Sequence, residues 1–251
     1  MNNFAKYVNY YRENGNVKIR NILSNKEVSN IKNAYSLFLK KKNLFRNKSY
    51  GKIFSYLKKK DRPTSLHNLQ NFKKLFFYKI ARKKKLNLIA DKLVGSKTKM
   101  FGIQFFIKNK EANLPTSPHQ DNAYWCYKNF KGLSFWISLE NTNKNNGCLY
   151  YYEKSHFKDL PHYKNSFVPG TTYRCKAPKK LKKKHYSLKT GDCVVHSSRS
   201  VHASYKNNSN KDRIAFIVTF VERNAKKDPI MFKKYKENYN KVIKANLKKF
   251  N

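Results

Sequence analysis

The hydrophobic period of this 251-residue chain changes at Gly95, and the change restricts the folds available to it. From Leu66 to Leu93 apolar residues recur at helical spacing, which predicts two helices that end at Gly95. Beyond this glycine the period becomes two, most strictly from Leu133 to Leu139, where apolar residues alternate with Ser134, Trp136 and Ser138. A period of two is typical of β-strands. The chain therefore places helices first and strands second.

Further strand-like segments follow at short intervals in the second part of the chain. They are separated by residues that favour turns, chiefly Asn, Gly and Pro. Their approximate bounds are Met100 to Ile107, Cys148 to Tyr152, Tyr186 to Leu188, Cys193 to His196, and Ile214 to Val221. Many short strands at this spacing predict a β-sandwich or β-barrel.

The first part of the chain contains one short strand and a well-marked helix start. Val17 to Ile22 is an alternating apolar run that predicts a strand. Ser24 and Glu27 have the spacing of a capping box, and apolar residues from Val28 to Phe38 recur at helical spacing after it. The lysine-rich segment 41–63 has weak patterning and predicts a loop with room for a short helix.

The C-terminal stretch from Pro229 predicts a basic helix that packs on the sheet through one apolar side. That side consists of Phe232, Tyr235, Tyr239, Val242 and Ile243. Neither an internal repeat nor a linker divides the chain, so we expect one domain over residues 1–251. It would comprise an N-terminal helical part of about 1–97, a β core of about 98–222 and a C-terminal helix of about 229–250.

The formal net charge of +42 comes from 56 Lys and Arg against 14 Asp and Glu. Such a charge can attract nucleic acid, anionic lipid or a phosphorylated substrate. Alternatively it reflects composition, because the lysine excess accompanies many Asn, Tyr, Phe and Ile residues, as in proteins of AT-rich genomes. The basic residues are spread from Arg12 to Lys249 and form no single tail. We favour the compositional explanation and do not expect nucleic acid as a partner.

The cysteines and the hydropathy pattern predict a soluble cytoplasmic protein. The four cysteines, Cys126, Cys148, Cys175 and Cys193, form no C-x-x-C pair, and free core thiols in a reducing compartment explain them. No stretch approaches the roughly 18 apolar residues that a membrane span requires. Hydrophobic residues make up 39% of the chain, which is enough for a folded core and excludes a disordered protein.

The segment Pro118-His119-Gln120-Asp121 carries a candidate metal site. If the segment is extended, His119 and Asp121 point to the same face of the strand and can bind one ion together. Two ligands leave the identity of the metal open. Iron(II) oxygenases add a second histidine, which gives a facial triad with open positions for co-substrate and oxygen.

The chain offers two histidines for the third position. Seven are present in all, and His196 and His202 lie in the late strand region where the ligand is expected. Eleven residues after His202, Arg213 begins a buried apolar run, and a buried guanidinium requires an anionic partner. Its planar fork suits a carboxylate. A metal triad with such an arginine is the arrangement that binds 2-oxoglutarate.

These residues belong to a longer pattern that resembles the phytanoyl-CoA dioxygenase family from about residue 14 to 221. The matching blocks, in chain order, are Asn14 to Ser24, Pro118 to Asp121 with Tyr124 and Trp125, Asn145 to Leu149, Ser155 and His156, Gly191 and Asp192, His202 to Ser204, Asn208, and Arg213. One departure is Lys154, which stands where glycine is usual in the family.

The resemblance implies a mainly β fold with flanking helices: a double-stranded β-helix, or cupin-like jelly-roll barrel, with helices packed on one side. It implies that His119, Asp121 and His202 bind iron(II). Arg213, assisted by Ser204, would bind the distal carboxylate of 2-oxoglutarate.

Four further residues are interpreted beside these, of which His196 has no counterpart in the family's motifs. Trp136 and Gln104 would touch the co-substrate, although Trp136 is equally well explained as barrel core. His156 and His196 are interpreted as structural.

The resemblance also implies the reaction, in which iron, oxygen and 2-oxoglutarate together hydroxylate a substrate. Halogenating relatives carry a small residue in place of the carboxylate, so Asp121 favours hydroxylation. The substrate would be a small molecule or carrier-linked compound, contacted by residues in the segments 41–63, 108–118 and 154–184, where many lysines favour an anion. Two alternatives remain: an inactive jelly-roll scaffold that binds nucleic acid or membranes through its charge, and a 2-oxoglutarate-dependent nucleic-acid demethylase.

Overall fold

The fold is taken from a computed structural model that describes residues 2–40, 54–57, 62–110, 115–164 and 173–238. Helices α1 to α6 are Asn2–Asn14, Asn25–Lys40, Phe76–Ala81, Lys84–Val94, Asn122–Trp125 and 229–238. Two 3₁₀ turns lie at Leu69–Asn71 and Ser155–Phe157. Among the described residues, no helix combines the length and apolar character needed to cross a bilayer.

Thirteen strands are described, and each pair of neighbouring strands is antiparallel. In chain order, β1 to β13 are Asn16–Ile19, Phe54–Leu57, Arg62–Leu66, Thr98–Lys108, Thr116–His119, Gly132–Ser138, Leu149–Tyr152, His162–Lys164, Tyr173–Cys175, Lys183–His185, Cys193–Ser197, His202–Ser204 and Arg213–Glu222. The major sheet has the order β1-β11-β6-β13-β4-β3-β2, and the minor sheet has the order β10-β7-β12-β5. Strands β8 and β9 form a separate ribbon.

The major sheet is buried on both faces, which explains the alternation that the sequence shows in β6. Phe135 and Ile137 pack in the larger core together with residues of α1, α2, α3 and α4. Trp136 lies in a second core with Tyr151 of the minor sheet, between the two sheets. Because successive strand residues point to opposite faces, one strand contributes to both cores. Polar residues on the inner face, such as Ser134, are therefore directed into the barrel.

Several expected elements are observed close to their predicted positions. The capping box is present: Ser24 N donates to Glu27 Oε2 (2.9 Å), and Glu27 N donates to Ser24 Oγ (3.3 Å). The strands expected around residues 100, 133, 149, 193 and 214 are β4, β6, β7, β11 and β13. The four cysteines are buried and free, as predicted. The basic helix begins at Pro229, but Tyr239, Val242 and Ile243 lie outside the described residues.

Several elements differ from the sequence-based expectation, which includes none of the short strands β8, β9 and β12. Helix α1 is absent from that expectation, because its asparagines have weak helix propensity and only Tyr11 of its apolar stripe is fully buried. Its stability comes from packing on the core. The strand expected at Tyr186 to Leu188 lies three residues earlier, as β10. Residues 183–185, at the edge of the minor sheet, form the hydrogen-bonded ladder with β7. Tyr186 and Leu188 instead bury their side chains between the sheets.

The segment 41–63, expected as a loop, is also partly different. Its described residues include β2 and the start of β3, which pair as a hairpin at the edge of the major sheet. The remainder of the segment lies outside the described residues. An edge hairpin needs few buried apolar residues, so the hydrophobic pattern gives little sign of it.

The Gly191–Asp192 block anchors the N-terminal segment to the barrel. Gly191 has φ +85°, and a Cβ atom there would lie 2.4 Å from the carbonyl oxygen of Leu23. The Asp192 carboxylate accepts a hydrogen bond from Asn21 N (3.0 Å) and lies 3.3 Å from Lys18 Nζ. Only glycine fits both the backbone conformation and this close approach. The motif therefore has a structural role in holding β1 and its following turn against the sheet.

Candidate metal centre

His119 and Asp121 converge, although not in the way their spacing suggests. Strand β5 ends at His119, and Asp121 adopts a helical conformation (φ −58°, ψ −33°) at the start of α5. The expectation that both side chains share one strand face is therefore wrong. The chain turns at Gln120, and this turn brings His119 Nε2 to 3.8 Å from Asp121 Oδ1.

Gln120 stabilises that turn through hydrogen bonds. The sequence alone assigned no role to this residue. Its backbone N–H donates to His162 Nε2 (2.9 Å). Its side-chain amide donates to the carbonyl oxygen of Lys158 (2.8 Å) and accepts from Leu160 N (2.8 Å). The sequence shows only a polar amide between two prospective ligands; the structure shows that this amide is buried, where polar groups need partners.

His202 completes the group from the neighbouring strand. It pairs directly with His119 in the β5–β12 ladder, and its Nε2 lies 3.7 Å from Asp121 Oδ1. One ligand atom from each of these three residues lies within 4.8 Å of the other two. Bonds from histidine and carboxylate to a first-row divalent ion are about 2 Å long, so the three atoms are close enough to share one ion.

Hydrogen bonds set the tautomers of both histidines. His119 Nδ1 donates to the Ser117 carbonyl oxygen (2.8 Å), and His202 Nδ1 donates to the Ser200 carbonyl oxygen (3.0 Å). With the proton on Nδ1, each Nε2 presents a lone pair toward Asp121. Burial lowers the pKa of His119 and lowers the pKa of His202 well below the usual value. Both rings are therefore in the neutral form that binds a metal.

Asp121 carries the negative charge of the site. Burial alone would raise the pKa of its carboxyl group, but His202, His196 and His119 outweigh burial and hold the pKa well below the usual range. Its second oxygen, Oδ2, accepts a hydrogen bond from Ser134 Oγ (2.7 Å) and lies 3.2 Å from His196 Nε2. His196, which the sequence places in a structural role, thus contacts a prospective ligand.

Arg213 lies on the inner face of β13, as the sequence predicts, with 3% of its surface exposed. Its guanidinium carbon is 5.0 Å from the centre of the Trp136 ring. Burial lowers the pKa of Arg213 to about 10. In the described part of the chain, the buried Arg213 Nε and Ser204 Oγ both lack a hydrogen-bond partner. Unpaired buried donors are costly and are typical of a pocket built for a ligand.

Lys108 adds a second cation, which the sequence analysis included in the substrate-contacting segment 108–118 without giving it a role beside Arg213. It is the direct partner of Arg213 in the β4–β13 ladder, so the two side chains share the inner face. Burial, reinforced by the charge of Arg213, lowers the pKa of Lys108 to about 7. In a sequence, a lysine at the end of an apolar strand gives little indication of a buried cation, because long side chains often reach solvent there.

The structure also shows the contacts of two other residues named in the sequence analysis. Gln104 lies on the inner face of β4, where it hydrogen-bonds His67. His156 Nε2 donates to the Arg12 carbonyl oxygen (3.1 Å), which fits its expected structural role. The co-substrate contacts assigned to Gln104 and Trp136 stay predictions.

Two antiparallel sheets with a His–Asp–His group on the inner side define a jelly roll of the non-haem iron oxygenase type. The family model for phytanoyl-CoA dioxygenase (PhyH) matches residues 11–215, so the chain belongs to that family. A phytanoyl-CoA dioxygenase of Arabidopsis thaliana is 26% identical over 160 residues, which is 63% of this chain and 55% of that protein. The chain thus spans about half the length of this curated relative.

Solved structures confirm the predicted jelly-roll fold. The non-heme alpha ketoglutarate dependent carbocyclase SnoK from nogalamycin biosynthesis superposes with a TM-score of 0.70 at 23% identity, covering 89% of this chain and 86% of SnoK. EvdO2 from Micromonospora carbonacea var. aurantiaca, complexed with 2-oxoglutarate, superposes with a TM-score of 0.69 at 19% identity. The match covers 89% of this chain and 92% of EvdO2. The epimerase SnoN, in complex with Fe3+, alpha ketoglutarate and nogalamycin RO, superposes with a TM-score of 0.68 at 19% identity. The match covers 90% of this chain and 86% of SnoN.

Proposed function

We propose that this protein is an iron(II)- and 2-oxoglutarate-dependent dioxygenase that hydroxylates a small-molecule or carrier-linked substrate. The observation that carries the proposal is the convergence of His119 Nε2, His202 Nε2 and Asp121 Oδ1, with both rings neutral and the carboxylate ionised. Two histidines and one carboxylate are the donor set of non-haem iron(II) oxygenases, and they leave positions open for co-substrate and oxygen. Membership of the family supports the same class.

When bound, iron(II) supplies the electrons that activate oxygen while 2-oxoglutarate is oxidised to succinate and carbon dioxide. One oxygen atom enters succinate, and the other converts a substrate C–H group to C–OH. The protein's own residues do the positioning: the two histidines and Asp121 bind the ion, and the barrel encloses the reacting groups. Asp121 would hold the ion where a halide binds in halogenating relatives, which favours hydroxylation.

The inner face around Arg213 supports 2-oxoglutarate as the co-substrate. Arg213 Nε and Ser204 Oγ are buried donors without partners in the described structure, and Lys108 adds positive charge beside them. A carboxylate of the co-substrate would satisfy both donors and compensate the buried charge. Trp136 lies against the guanidinium and would hold its plane in position.

The test is to measure metal-dependent binding of 2-oxoglutarate and then the formation of succinate with iron(II) and oxygen across a substrate panel that includes anions. Calorimetry should show that 2-oxoglutarate binds the metal-loaded protein. The Arg213→Leu variant should retain metal and bind 2-oxoglutarate about 10- to 100-fold more weakly, as expected for losing charged hydrogen bonds. The His119→Ala variant should lose the metal.

His185→Ala provides the matched control, because His185 is exposed and lies outside the site. It should behave as the parent protein does in both assays. A parent protein that binds metal but never binds 2-oxoglutarate would contradict the proposal and favour a scaffold. A salt-sensitive association with nucleic acid that persists in His119→Ala would support that alternative.

A further inference from the structure

The two oxygens of Asp121 have different surroundings. Oδ1 faces the lone pairs of His119 and His202, at 3.8 and 3.7 Å. Oδ2 is approached by Ser134 Oγ (2.7 Å) and His196 Nε2 (3.2 Å). One oxygen is thus directed at the prospective metal and the other at two groups of the major sheet.

His196 also forms a hydrogen bond through its other ring nitrogen. Its Nδ1 lies 3.1 Å from the hydroxyl of Tyr151, a residue with no exposed surface. If the tyrosine donates to Nδ1, the histidine proton is on Nε2 and is donated to Asp121. The opposite tautomer would place the Nε2 lone pair against a carboxylate lone pair, which is repulsive. For a neutral ring, the hydrogen bonds therefore select the Nε2–H tautomer.

The strand registers show that this chain of contacts bridges the two sheets. His196 is the direct partner of Ser134 in the β11–β6 ladder, so both donor side chains project from paired positions on the same face of the major sheet. Tyr151 is the direct partner of His202 in the β7–β12 ladder of the minor sheet. Backbone pairing thus fixes the positions of the tyrosine and the histidine, and Asp121 reaches the histidine from the turn that follows β5.

We propose that His196 is a positioning residue for Asp121: it donates Nε2–H to Oδ2 and, with Ser134, restricts the carboxylate to binding iron through Oδ1. This inference rests on the proposed function, whose iron site it refines. If both carboxylate oxygens bound the ion together with two histidines and a chelating 2-oxo acid, six donors would surround it and leave no room for oxygen. Binding through one carboxylate oxygen would leave that room. Hydrogen-bonded partners of this kind orient metal ligands and tune the affinity of the site.

The first test examines tautomers in the metal-free protein. Nitrogen NMR of the histidine rings, recorded above neutral pH where an ordinary histidine is uncharged, reads which nitrogen carries the proton. We expect His196 protonated on Nε2, in contrast to His119 and His202, which should be protonated on Nδ1. Tyr151→Phe should reduce the Nε2–H population of His196. A His196 ring with an unprotonated Nε2 in the parent protein overturns the inference.

The second test measures the affinity of the metal-free protein for Co(II), by competition with a chelator. His196→Phe keeps the ring volume without a donor and should weaken binding about 10- to 100-fold. His196→Gln offers an amide N–H near the position of Nε2 and should recover most of that loss. Ser134→Ala should weaken binding by less, because one donor remains.

A double-mutant cycle separates positioning from a general effect on folding. Tyr151→Phe should weaken Co(II) binding in the parent protein and have no further effect in the His196→Phe background, because the tyrosine acts through the histidine. Additive losses, or equal losses in His196→Phe and His196→Gln, would contradict the inference. If the parent protein binds no metal at all, the proposed function fails, whereas the NMR result still decides the hydrogen-bond chain.

Discussion

Lys108 and Arg213 place two cations side by side on the inner face of the barrel. They are direct partners across β4 and β13, and burial together with the Arg213 charge lowers the pKa of Lys108 to about 7. Cys148 is a titratable neighbour of Arg213, and burial raises the pKa of this cysteine to about 11, so it contributes no charge near neutrality. The proton of Lys108 is therefore the one that responds to an incoming carboxylate.

This arrangement predicts that 2-oxoglutarate binding depends on pH. A bound carboxylate stabilises the charged lysine and raises its pKa, so binding above about pH 7 requires uptake of a proton. Affinity should be constant below that value and fall by up to about tenfold per pH unit above it. Calorimetry in buffers of different ionisation enthalpy measures the proton uptake directly.

Lys108→Met should abolish the dependence and weaken binding below pH 7, because the side chain keeps its length and loses its charge. Lys110→Met is the matched control, since Lys110 is exposed and should leave the profile unchanged. If Lys108→Met retains the full pH dependence of the parent protein, another group takes up the proton.

At the scale of elements, the turn after β7 departs from the family pattern at Lys154. This residue has φ +65°, a left-handed conformation that costs a non-glycine residue roughly 1–2 kcal/mol. The conformation explains why the family places glycine here. The ion pair of Lys154 with Glu13 (3.1 Å) is exposed at both ends and offsets little of the cost.

Lys154→Gly should therefore stabilise the fold by about 0.5–1 kcal/mol, which is less than the full cost because glycine also raises the entropy of the unfolded chain. Denaturant unfolding measures the free energy of unfolding. Lys154→Ala is the control: it removes the ion pair, retains the strain and should change stability by less than about 0.5 kcal/mol. Equal effects of the two substitutions would show that backbone strain is not the cause.

At the scale of the whole molecule, a net charge of +42 makes the folded state repel itself. The melting temperature should rise as sodium chloride increases from about 10 to 150 mM, because the screening length falls from about 30 to 8 Å. A second monovalent salt at the same ionic strength should give the same shift in thermal unfolding. A melting temperature that follows the identity of the anion would instead indicate binding at a defined site.

Much of the architecture could be predicted from local pattern. A period of two identifies β6, and a nearly continuous apolar run identifies β13. The capping box identifies the start of α2, and Arg213, at the start of the apolar run, indicates a buried cation. These signals are local, because each depends on residues within a few positions of one another. The single-domain organisation expected for residues 1–251 stays a prediction.

The sequence by itself determined the residue types of the candidate site: two histidines, a carboxylate and an arginine in an order that matches a known family. Only the tertiary structure decided how they meet. Asp121 reaches His119 through a turn and not along a strand. His196 lies beside Ser134, the other residue that contacts Asp121 Oδ2, because β11 and β6, which are distant in the chain, pair in one register. The physical reason is that hydrogen-bonded ladders between distant segments set which side chains face one another, and no local pattern encodes that register.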